Sequence, residues 1–68
     1  MEATNQDRAS WGNTALCAFV VEVGDVGDEQ TNLSDLLADL MHLADRQDLD
    51  FAQALMVARG HYAEEVIY

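Results

Sequence analysis

The sequence predicts an all-α fold, a compact three-helix domain, on three observations. Apolar residues recur at helical spacing in three separate stretches, and capping or breaking residues bracket those stretches. The one run that also alternates like a strand has no partner except the last three residues.

Residues 1–10 are polar and aperiodic, which predicts a disordered N-terminal tail and leaves residues 11–68 as a single helical domain. In the first helix, Leu16, Phe19, Val20 and Val23 fall at i, i+3, i+4 and i+7, with Asn13 as N-cap and Gly24 as a left-handed C-cap. The competing reading is an α+β fold with residues 15–23 as a strand, because Cys17, Phe19, Val21 and Val23 alternate. Residues 24–30 hold two glycines and three acids and read as a loop.

The second helix is the clearest. Thr31 or Asn32 caps it, Asp35 sits in its first turn, and Leu33, Leu36, Leu37, Leu40, Met41 and Ala44 make a broad apolar stripe that runs out near Arg46. After a short break, Asp50 with Gln53 three positions on resembles a capping box, and Leu49 is placed to staple back onto the next turn. Phe51, Ala54, Leu55, Ala58 and Tyr62 then follow the helical period through Glu65, with Gly60 on the solvent side.

Composition narrows function by exclusion. Sixty-eight residues hold one small domain, and a core of that size buries only about 60% of the unfolded surface, so packing must suffice alone or be shared with a second copy. One cysteine makes no internal disulfide, and no Cys/His set has zinc-finger spacing. The opening residues lack a secretory pattern, and the longest apolar run, residues 15–21, is too short to span a bilayer, so a cytoplasmic protein is expected. Thirteen acids against three arginines give a net charge of −10, which opposes direct contact with nucleic acid or an anionic membrane.

Helix stability explains some of those acids and not others. Asp35 in a first turn and Asp50 at a cap are favoured by the helix dipole. Asp45 and Asp48 lie at the negative end of the second helix, Glu64 and Glu65 at that of the third, and Asp35 and Asp39 are like charges four apart. Carboxylates three or four residues apart repeat at about 4.5–6 Å along a helix, so Asp35, Asp39, Asp45 and Asp48 approximate the charge row of a nucleic-acid strand. Asp25, Asp28, Glu29, Glu64 and Glu65 would extend it. The same surplus also suits a surface made only for solubility.

Catalytic and cofactor chemistry is not expected. Gly24 and Gly27 are not followed by a phosphate-binding Gly-Lys-Ser/Thr, and the acids from Asp25 onward miss the glycine and the glutamate of a calcium loop. Cys17 stands in an apolar run without a neighbouring cation, and His42 and His61 lie on differently oriented faces, so neither an enzyme nor a metal site is predicted.

The segments Leu33-Ser-Asp-Leu-Leu-Ala-Asp-Leu-Met-His-Leu-Ala-Asp, Leu49-Asp-Phe-Ala-Gln-Ala-Leu and Ala58-Arg-Gly-His-Tyr-Ala-Glu-Glu together resemble small acidic proteins of phages and other mobile elements of Gram-negative bacteria. In size and charge the chain is similar to anti-CRISPR inhibitors of type I systems, type I-C among them. That resemblance implies a DNA mimic acting in the bacterial host cytoplasm, as monomer or weak homodimer, on the basic DNA-binding cleft of a CRISPR surveillance complex. The partner-binding residues would be Asp25, Asp28, Glu29, Asp35, Asp39, Asp45, Asp48, Glu64 and Glu65. The alternative is a small mobile-element interaction module or antitoxin-like homodimer, with Trp11, Val66, Ile67 and Tyr68 forming an apolar seam.

Overall fold

A computed structural model describes residues 4–24 and 27–66, with the side chain of Val66 outside that description. The order is α1 (Asn5–Val23), α2 (Glu29–Arg46) and α3 (Phe51–Val66), with no strand among the described residues. The fold is all-α, and residues 15–23 are helical throughout.

Helix α1 starts earlier than the apolar pattern implies. Thr4, in extended backbone at φ −86° and ψ 165°, is its N-cap. The Asp7 amide donates to Thr4 Oγ1 at 3.0 Å, and the Thr4 amide donates back to Asp7 Oδ2 at 3.1 Å. This reciprocal box orders residues 5–10 as helix, where a tail was expected, and moves the cap from Asn13 to Thr4. The signal was obscured because the box carries Asp at the third position, where Glu or Gln is usual, and the turns after it lack an apolar period. The far end agrees with expectation: Gly24 adopts φ 69° and its amide donates to the Val20 carbonyl at 3.0 Å.

The chain divides into two units, Met1–Ala38 and Asp39–Tyr68, with the boundary inside α2. In the first unit, Leu16, Phe19 and Val20 of the predicted α1 stripe are half-buried, its fourth member Val23 is exposed, and Val21, off that stripe, is 81% exposed. Helix α2 also begins earlier than predicted. Asp28 Oδ1 accepts the Thr31 amide at 2.7 Å, so Asp28 is the cap, and residues 29–30 belong to the helix instead of a loop. Asn32, expected as a cap, has a different task. It is only 7% exposed, and its Nδ2 donates to the Gly27 carbonyl at 3.0 Å, tying the first turn of α2 to the residue before its cap.

In the second unit, α2 closes on a Schellman-type turn. The Leu49 amide donates to the Ala44 carbonyl at 2.8 Å, and Asp48 takes the left-handed position at φ 56°. Aspartate tolerates that conformation better than most residues, and glycine adopts it with no steric cost. Relief of a left-handed cost of roughly 1–2 kcal/mol outweighs the about 0.4–1 kcal/mol that glycine adds through the unfolded state, so Asp48→Gly is expected to stabilise the chain slightly, read as a higher urea midpoint at unchanged slope.

Asp50 caps α3 as predicted, its Oδ1 accepting the Gln53 amide at 2.9 Å. Gly60 faces open space. Leu49 stays exposed and Phe51 is half-buried. Ala44, 4% exposed, is the one buried apolar residue among the described ones, and none of them is fully buried.

Candidate functional site

Two features remain once the helices are built: the carboxylates, and the large apolar side chains that stay partly exposed. Eight of the nine candidate acids have a described place. Asp25 lies outside the described residues. Asp28 is the α2 cap, and the Thr31 amide, followed by the Thr31 hydroxyl, holds its carboxyl below the usual aspartate range. Glu29 is in the first turn of α2, where the helix dipole favours an anion. Asp48 occupies the left-handed turn that ends α2. These three acids thus have local structural uses.

Asp35 moves the other way. With α2 starting at Glu29, it sits in the second turn, beyond the reach of the N-terminal dipole that was expected to explain it. At 100° per residue, Asp28, Asp35 and Asp39 fall within about 40° of one another on α2. Asp45 turns about 80° away from Asp35, and Arg46 returns to the line of the stripe, ending it with a cation. The predicted row from Asp35 to Asp48 is therefore a shorter stripe that stops after Asp39.

On α3, Glu64 is exposed and Glu65 is half-buried. Asp28, Glu29, Asp35, Asp39, Asp45, Asp48 and Glu64 all face solvent.

Across α2 from the acidic stripe lie Leu33, Leu37, Leu40 and Met41, at i, i+4, i+7 and i+8. This is an apolar face in both position and chemistry, and it is partly covered: Leu33, Leu37 and Leu40 are 39–43% exposed and Met41 52%, while Ala44 on the same face is buried. In the first unit, Leu16, Cys17, Val20 and Val21 of α1 with Glu29 and Asn32 of α2 line a cleft of about 290 Å³ whose walls are mainly apolar. Sequence reasoning missed both. A leucine stripe reads as core, and nothing in its period tells how much of it is covered.

Of the expected seam residues, Trp11 is exposed, whereas the side chain of Val66 and residues 67–68 lie outside the described part. Cys17, His42 and His61 are exposed, with Cys17 Sγ 3.8 Å from Asn13 Oδ1. Among the described residues, no group of three or more His, Cys, Asp or Glu could hold a metal ion. No helix of the described residues is long and apolar enough to cross a membrane. No protein-family model, curated protein or solved structure matches the chain.

Proposed function

We propose that this chain is a small protein–protein interaction module that works by burying the apolar face of α2 against another polypeptide. One observation carries the reading: Leu33, Leu37, Leu40 and Met41 form a regular stripe and are all exposed. Soluble monomers rarely leave contiguous apolar surface of this kind open, and where they do it marks an interaction site. The mobile-element resemblance adds a setting, a short accessory protein that acts by binding.

A second reading has its own observation. Asp35 and Asp39 are like charges one turn apart, which costs a few tenths of a kcal/mol, and neither caps a helix. Their stripe would be the electrostatic face of a DNA mimic that blocks the Lys/Arg-lined DNA channel of a type I CRISPR surveillance complex. The match to a phosphate row is limited by Arg46, which stands in the same line.

One experiment separates the readings: capture from a CRISPR-bearing bacterial lysate at low and high salt, using the chain and two variants. The module reading expects a partner retained at high salt, lost in Leu37→Asp/Met41→Asp and kept in Asp35→Lys/Asp39→Lys/Asp45→Lys/Glu64→Lys. The mimic reading expects the reverse on all three counts, since contacts between exposed charges are screened over about 10 Å at 0.1 M salt. Capture that neither variant changes would overturn both.

A further inference from the structure

The cleft of the first unit is a second feature, independent of the α2 leucines. Its inner wall is buried Asn32 with half-buried Leu16 and Val20, and its rim is exposed Cys17, Val21 and Glu29. All of them lie within Met1–Ala38, so the cleft belongs to one unit. Its volume of about 290 Å³ stands at the lower end of the roughly 300–1,000 Å³ of small-molecule sites. At about 30 Å³ per water, that is room for a ligand of about ten non-hydrogen atoms.

The polar groups select the ligand. Glu29 supplies the only charge on the walls, and it stands three residues from Asn32 on the same face of α2. The Cys17 thiol donates to Oδ1 of Asn13, also on the rim, at 3.8 Å, and Asn32 Nδ2 is committed to the Gly27 carbonyl at 3.0 Å, so what Asn32 has left for a ligand is the acceptor Oδ1. An anion would meet a carboxylate and find no cation on these walls. The positive pole of α2 does not alter this, because Asp28 at the cap and Glu29 in the first turn already answer it. A positively charged donor is matched to both acceptors, and the net charge of −10 draws it toward the chain.

We propose that the α1–α2 cleft binds a small organic ammonium compound, a primary amine on a short apolar body, with the ammonium at Glu29 and Asn32 and the body against Leu16, Val20 and Val21. The site is separate from the α2 face of the interaction module and stands or falls without it. Cys17 is the one cysteine of the chain and lies on the rim, so its alkylation reports whether the cleft is filled.

The test measures the rate of Cys17 alkylation by iodoacetamide in the full chain, with backbone amide NMR alongside, against three probes of similar shape at matched ionic strength: phenethylamine, phenethyl alcohol and phenylacetate. A Kd of about 1–5 mM is expected for an amine of this size. At about ten times its Kd the amine then slows alkylation about tenfold, by mass action. The alcohol is expected to bind about five- to tenfold more weakly, for want of a charged hydrogen bond, and phenylacetate more weakly still. Glu29→Gln should bring the amine to the level of the alcohol and leave the alcohol unchanged, and added salt should move the amine in the same direction. Val21→Lys, at a position 81% exposed, sets a competing ammonium on the rim and should remove the protection by the amine.

Equal protection by the three probes overturns the choice of an ammonium ligand, and no protection by any of them overturns the site. Amide shifts that spread along Asp35 and Asp39 while the alkylation rate stays constant mean a diffuse attraction of cations to the acidic surface, and overturn it as well. Should Glu29→Gln lose helicity by circular dichroism, Val21→Lys decides: undiminished protection in that variant overturns the placement of the ammonium at Glu29.

Discussion

Replacing Ala44 by glutamate is expected to unfold the chain at ambient temperature. Ala44 is the one apolar residue buried to 4% among those described, and its carbonyl accepts the Leu49 amide in the turn that ends α2. A carboxylate with no partner there costs at least about 3–5 kcal/mol, and a chain of this size is stable by only about 3–10 kcal/mol in total. Circular dichroism at neutral pH should show the helical signal largely lost. Ala44→Ser, which adds one hydroxyl to the same site, should keep the signal at a lower urea midpoint. A glutamate variant with unchanged helicity and midpoint would mean that this position is not the centre of the second unit.

The second large effect is expected at Asn32, the one buried polar residue among those described. Its amide nitrogen donates to the Gly27 carbonyl at 3.0 Å, and a Cβ built on Gly27 would stand 3.1 Å from Asn32 Oδ1. The side chain therefore both bonds and fits the backbone just before α2. Asn32→Leu keeps the bulk and removes the donor, so the Gly27 carbonyl loses its partner at a cost of about 1–3 kcal/mol. The loss is read as a lower urea midpoint. Asn32→Asp should be destabilised too, because a carboxylate accepts but cannot donate. If the leucine variant were as stable as the parent, burial alone, and not the bond to Gly27, would be what this position requires.

The legible and illegible parts of this fold differ for physical reasons. The α1 stripe, the Gly24 cap, the α2 leucines and the Asp50 cap could be read because each depends on residues three or four apart. The start of α1 could not, since a capping box with aspartate at its third position precedes turns without an apolar period. The start of α2 was placed late for a related reason. Asp28 was grouped with the loop acids, although an aspartate three residues before a threonine amide is an ordinary N-cap.

That misplacement changed the reading of the acids. Once Asp28 and Glu29 belong to a helix start, their charge has a local use, and Asp35 loses the one it had been given. The wheel also places Arg46 in line with the acidic stripe. The exposure of Leu33, Leu37, Leu40 and Met41 was beyond sequence reasoning altogether. Period reports which residues share a face and is silent on what covers it.

The boundary between the two units falls within an unbroken helix of 18 residues. Cutting the polypeptide there would leave helical stubs of ten and eight residues, 29–38 and 39–46, both shorter than the roughly 12–15 that an isolated helix needs to persist in water. Each half would then hold its short end of α2 only through packing within its own unit.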